Sequence, residues 1–144
     1  MLTIARGVAV EVLDWGGSGR PLVLIAGLGN TPHVYDDFAP LFTDSFHVYG
    51  VTRRGFGHST GPPVSDAATL VNDLRAVLDS LRLSRVVLVG HSIGGEELTG
   101  FGVAYPDRCG ALVYLDARST GAPVKTSSRE SWTNATDRPC TARR

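Results

Sequence analysis

Apolar residues fall along this chain in two rhythms. Four runs are continuous: Leu22-Val23-Leu24-Ile25-Ala26, Phe46-His47-Val48-Tyr49-Gly50-Val51, Val86-Val87-Leu88-Val89 and Leu112-Val113-Tyr114-Leu115. Each has the length of a strand, and unbroken apolar strands belong to sheets covered on both faces. Nearer the start, Leu2–Ala5 and Val8–Leu13 alternate, the pattern of two more strands joined at Gly7. Between the runs the spacing turns helical. Leu70, Val71, Leu74, Val77, Leu78 and Leu81 lie at offsets 0, 1, 4, 7, 8 and 11, one face of a 3.6-residue helix. Ser65 or Asp66 can cap its start, and Arg82 suits its end. A second helix is expected from Ile93 to about Tyr105, stopped by Pro106, and a weaker one over Val34–Phe42. Strand–strand, then strand–helix three times, then a last strand predicts an α/β fold. Its sheet would be open and mostly parallel, with helices on both faces and right-handed crossovers.

The pattern stops at Asp116. Up to that residue the chain holds 8 basic and 12 acidic residues, a net of −4. Residues 117–144 hold 6 basic and 2 acidic, a net of +4, together with nine Ser or Thr. Val124 and Trp132 are the only large apolar side chains there. Such a segment buries too little surface to offset its ordering entropy. Two parts are therefore expected: a partial α/β domain over 1–116 and a disordered tail over 117–144.

The 144 residues are enough for one domain. Basic and acidic residues balance at 14 each, so no overall field favours nucleic acid or an anionic membrane. The longest apolar runs have about five residues, against about 20 for a membrane span. The first dozen residues alternate and contain no secretory apolar core, so a cytoplasmic setting is expected. Cys109 and Cys140 are too few for a disulfide framework and are expected to be reduced thiols.

Chemistry concentrates at Gly90-His91-Ser92-Ile93-Gly94, a G-x-S-x-G pattern directly after one apolar run and directly before a helical one. A strand that enters a helix through so tight a turn forces its central residue into a strained conformation. The flanking glycines leave room for neighbouring backbone. Ser92 is then lifted above the carboxyl edge of the sheet, where ligands of α/β folds bind. The helix behind it offers free N–H groups, of which the Ile93 N–H is the first donor to a developing oxyanion.

With this motif in place, residues 3–116 resemble the N-terminal part of the α/β-hydrolase superfamily, in its single-domain esterase or peptidase-like branch. Three more landmarks stand in the family's order. Gly27-Leu28 follows the strand Leu22–Ala26, Arg54-Gly55-Phe56-Gly57-His58-Ser59 follows Phe46–Val51, and Asp73-Leu74 with Val77-Leu78 lies on the helix before the nucleophile strand. The resemblance implies that Leu28 supplies the second oxyanion N–H and that the loop Asn30–Tyr35 meets substrate. The sequence departs from the family at Ala26, where His is common, and at Thr52, where an acidic residue is common.

A nucleophilic serine also needs a base, and a carboxylate to orient it. The family's order is Ser, then Asp or Glu, then His. The four histidines are His33, His47, His58 and His91, and none follows Ser92. Asp116 is either the acid or a cap on the loop after its strand. The absent histidine and the break after Asp116 read as a truncated or frame-shifted product. They also leave Leu112–Leu115 as an exposed edge strand, through which the chain would self-associate.

Cofactors are not expected. Gly27-Leu28-Gly29 lacks the third glycine of a dinucleotide loop, since Pro32 stands there. No G-K-[ST] phosphate loop and no metal-ligand spacing occurs. Glu96 and Glu97 suit the first turn of a helix, and Arg53-Arg54 suits a solvated or loop-pairing role. The function expected is ester or small-amide acyl transfer to water through Ser92, with Leu28 and Ile93 as oxyanion donors and weak turnover. A haloperoxidase- or thioesterase-like activity would use the same elbow. The alternative is a non-catalytic remnant that binds a small ligand or a partner chain.

Overall fold

A computed structural model describes residues 1–117 and the backbone of residues 142–143. The continuous apolar runs become neighbouring strands. The strands are β1 (Leu2–Ala5), β2 (Val8–Val10), β3 (Val12–Gly16), β4 (Arg20–Ile25), β5 (Phe46–Val51), β6 (Val86–His91), β7 (Cys109–Leu115) and β8 (Ala142–Arg143). The helices are α1 (Ala67–Ser80) and α2 (Gly94–Ala104). One sheet runs β3-β5-β4-β6-β7-β8, and β1-β2 form a separate hairpin. Only β3 is antiparallel to its neighbour; every other pair in the large sheet is parallel. The mostly parallel α/β sheet expected from the pattern is therefore present.

Its two faces are covered differently. Val71, Leu74 and Leu78 of α1 pack with Leu98 and Phe101 of α2 over Val23, Ile25, Tyr49, Val86, Leu88 and Leu112. Val77 turns toward Val8 and Val10 of the hairpin. On the opposite face Tyr35 and Ala39 cover Leu22, Leu24, Val48, Val87 and Val89. These two come from short 3₁₀ turns, Pro32–Tyr35 and Ala39–Phe42, where a weak α-helix was expected. Pro40 has no N–H to donate and its ring would clash with the carbonyl four residues back. The backbone accordingly closes through three-residue steps: Asp36 N–H to His33 O, Phe38 to Tyr35, Leu41 to Phe38 and Thr43 to Pro40.

The expected strand Val8–Leu13 is broken at Glu11. Its N–H donates to Ser59 Oγ at 2.9 Å and its carbonyl accepts from Thr52 N–H at 3.0 Å, so it serves the loop after β5 and not a ladder. β8 lies within the expected tail and pairs with β7, Ala142 opposite Leu112 and Arg143 opposite Val113. The exposed edge expected at Leu112–Leu115 is thus occupied along two residues, and residues 118–141 and 144 lie outside the described part. Cys109 is buried and disulfide-bonded, which corrects the expected reduced thiol. The correction removes one support for a cytoplasmic setting. Among the described residues no helix is long and apolar enough to cross a membrane.

Asp66, and not Ser65, caps α1. Its carboxylate accepts from Thr69 N–H at 2.8 Å and Thr69 Oγ1–H at 2.6 Å, and these bonds hold it below the usual carboxylate range. The folded chain therefore releases this proton more readily than the unfolded one. The cap's contribution is complete above the ordinary carboxylate value and is lost as pH falls through the lowered folded value. Asp66→Ala is expected to melt a few degrees below the wild type near pH 7, with the gap narrowing in acid, below the ordinary carboxylate range. A gap of constant size across thermal melts at neutral and acid pH would contradict this account.

Candidate active site

The turn after β6 has the strain that its sequence requires. Ser92 has φ +53°, in the left-handed region that non-glycine residues avoid, and its side chain is exposed. The glycines on either side explain how the backbone reaches that shape. A Cβ on Gly90 would lie 2.7 Å from Leu98 Cδ1 and 2.8 Å from the Gly94 carbonyl carbon. A Cβ on Gly94 would lie 3.0 Å from the Ile25 carbonyl oxygen. The first turn of α2 is therefore seated against the end of β4 with no room for side chains between. The turn is closed by Gly95 N–H to Ser92 O at 3.1 Å and Glu96 N–H to Ile93 O at 3.0 Å.

Gly27 brings the loop after β4 to the same place. A Cβ there would stand 3.4 Å from Ser92 Cβ and 2.9 Å from His91 Nδ1. Leu28, the next residue, is 67% exposed. Neither the Leu28 nor the Ile93 N–H donates to an acceptor among the described residues. Ser92, Leu28 and Ile93, the three site residues expected from the sequence, are thus gathered at one end of the parallel strands.

Three of the four histidines have partners or surroundings elsewhere, and the fourth, His91, adjoins the elbow without a hydrogen bond to Ser92. His33 bonds Asp36 at 3.0 Å, His47 bonds Asp14 at 2.8 Å, and His58 is largely exposed, 4.0 Å from Glu11. His91 packs beside Gly27. Ser92 Oγ has no hydrogen bond to any of these histidines. Asp116 is exposed at the end of β7 with φ +44°, a second strained strand end beside the elbow. Among the described residues no cluster of His, Cys, Asp or Glu is able to hold a metal ion.

Beneath the exposed residues lies a charged layer, at residues whose sequence suits a solvated or loop-pairing role. Arg53 and Glu97 have side chains only 7% and 6% exposed and pair through Arg53 Nε and Glu97 Oε1. Burial pushes the Glu97 carboxyl up, and the Arg53 charge and hydrogen bond pull against that rise. Arg53 Nη1 also donates to the Gly27 carbonyl at 3.1 Å. Arg54, next in sequence, forms a two-pronged pair with Asp73 of α1. A cavity of about 20 Å³, room for one water, is lined by Arg53, Glu97, Arg54 and Asp73 with apolar neighbours; Ser92 does not line it. Thr52, found where an acidic residue is common in the family, is fully buried and donates to Glu11 Oε2 at 2.7 Å, so a carboxylate arrives from the link between β2 and β3. One signal for Glu97 was available: Gly94, Glu97, Leu98 and Phe101 share helical spacing and all are buried.

The chain is similar to known proteins in sequence and in fold. The family model described as alpha/beta hydrolase fold matches residues 20–137, well over half of the chain. A non-heme chloroperoxidase of Kitasatospora aureofaciens is 38% identical over 103 residues, 69% of this chain and 36% of that protein. The 2-hydroxy-6-oxo-6-phenylhexa-2,4-dienoate hydrolase of Comamonas testosteroni is 28% identical over 119 residues, 81% of this chain and 39% of that protein. The crystal structure of a bromoperoxidase from Bacillus anthracis superposes with a TM-score of 0.71 at 31% identity, over 76% of this chain and 41% of that one. The chain therefore spans less than half the length of these relatives. Fold, motif order and sequence similarity agree, and the chain belongs to the α/β-hydrolase fold family.

Proposed function

We propose that Ser92 is the nucleophile of a serine hydrolase acting on a small ester or amide, with the Leu28 and Ile93 N–H groups as its oxyanion hole. The observation that carries this reading is the left-handed backbone of an exposed serine between a parallel strand and a helix. In the reaction Ser92 Oγ attacks the carbonyl carbon and gives up its proton to a base. The carbonyl oxygen becomes an oxyanion facing two unengaged amides. The C–O or C–N bond then breaks, and water later releases the acyl group from Ser92. The names of the hydrolase and chloroperoxidase relatives support a small-molecule substrate for this reading.

No described histidine hydrogen-bonds Ser92 Oγ, and this favours one second reading, a chain that binds such a molecule without turning it over. A fluorophosphonate probe separates the two. Its P–F bond breaks as an Oγ–P bond forms, fluoride leaves, and the serine proton passes to solvent. Slow but stoichiometric labelling is expected, abolished in Ser92→Ala; slow because removing a triad member typically lowers rates about 10⁴–10⁶-fold. Equal labelling of Ser92→Ala and wild type would remove Ser92 from the role.

A further inference from the structure

The buried Arg53 has a place in the geometry that its pairing with Glu97 alone does not explain. It leaves the end of β5 and turns inward, so that one guanidinium touches two other elements. Nε meets Glu97 in the first turn of α2, and Nη1 donates to the Gly27 carbonyl, just past β4, at 3.1 Å. Nη2 is buried with no partner among the described residues. A buried guanidinium with a spare donor is held there by its other two bonds and by the fork that lets both form at once.

The Gly27 carbonyl is half of a peptide unit whose other half is the Leu28 N–H. No peptide bond in the described chain is cis. Across a planar trans unit the C=O and the N–H point in opposite directions. A donor that pins the carbonyl from the buried side therefore aims the amide hydrogen toward the exposed side, where Ser92 stands. Asn30 N–H also reaches the Gly27 carbonyl, at 3.3 Å, but it belongs to the same turn and would move with it. Among the described residues, Arg53 is the group outside that turn that ties its carbonyl to the framework. Glu97 lies five residues past Ser92, on the helix that the elbow starts, so the nucleophile and the peptide opposite it share one brace.

We propose that the Arg53–Glu97 pair is a positioning device that sets the Leu28 amide against the oxyanion formed at Ser92. This rests on the hydrolase reading of Ser92 and extends it to two residues that never touch substrate. Two variants test it, with fluorophosphonate labelling resolved into its binding constant and its maximal rate. Arg53→Lys keeps a positive charge beside Glu97 but lacks the fork that reaches both partners. Arg53→Met with Glu97→Leu replaces the whole pair by apolar groups of similar size, a change that folds usually tolerate. Both are expected to retain a cooperative melt and the wild-type binding constant. The maximal rate should fall about 10–100-fold, short of the roughly 10²–10³ for losing an oxyanion donor outright. The Leu28 amide proton should move downfield on phosphonylation in the wild type, and by much less in the variants.

A folded variant with an unchanged maximal rate would reduce the pair to a structural ion pair and overturn the proposal. If neither variant folds, the wild type decides through its Arg53 side-chain resonances. These must respond to phosphonylation together with Leu28, and a Leu28 shift with a silent Arg53 overturns the proposal. Failure of the hydrolase reading looks different, because labelling would then persist in Ser92→Ala.

Discussion

Glu97→Ala is expected to lower folding stability by about 3–5 kcal/mol, because it strands a buried guanidinium without its counter-charge. The size follows from where the pair sits. Both side chains are more than nine-tenths buried, so the solvent screening that reduces exposed pairs to about 0–1 kcal/mol is absent. The alanine would also leave space beside the cavity that Arg53 and Glu97 line. Water admitted there would solvate Arg53 in part, which sets the lower end of the range. Denaturant titration of three proteins checks the claim. The single variant should lose the most, and Arg53→Met with Glu97→Leu should lie much closer to the wild type, since no charge is then left unpaired. A single-variant loss under about 1 kcal/mol would mean that the pair behaves as a surface contact.

Gly90→Ala is expected to slow labelling of Ser92 about a hundredfold while lowering stability by about 1–3 kcal/mol. Its new methyl group would meet the Gly94 carbonyl carbon at 2.8 Å and oxygen at 2.9 Å, besides the tip of Leu98. The leucine tip is able to move. The Gly94 backbone is not, because it is the first residue of α2 and already abuts the Ile25 carbonyl. The displacement must therefore pass into the turn itself, at Ser92 and Ile93. Gly100→Ala is the control. Its added methyl meets only Val71 Cγ2, at 2.8 Å, on the packed face between α1 and α2. It should lower stability with little change in labelling rate. Parallel losses of rate in both variants would show that general loosening, and not the position of the elbow, controls Ser92.

Much of this architecture was legible along the chain. β5 has the bounds of its apolar run, Phe46–Val51, and five of the six apolar residues on the expected face of α1 are buried, Leu81 being partly so. The elbow was legible too, because it is local: two glycines, a strand before and a helix after leave few conformations for the residue between. The weak helix over Val34–Phe42 failed for an equally local reason, the proline inside it.

What the amino-acid order determined by itself is the set of elements and the strained turn at Ser92, since periodicity and steric exclusion act within a few residues. Which charges lie inside was decided only by the tertiary structure. Arg53 and Glu97 stand 44 positions apart, and Thr52 and Glu11 stand 41 apart. Each residue taken alone suits a solvated surface equally well. Burial of a charge is stable only when folding delivers its partner to the same spot, and that meeting depends on how β4, β5 and α2 pack together, which no stretch of the chain specifies alone.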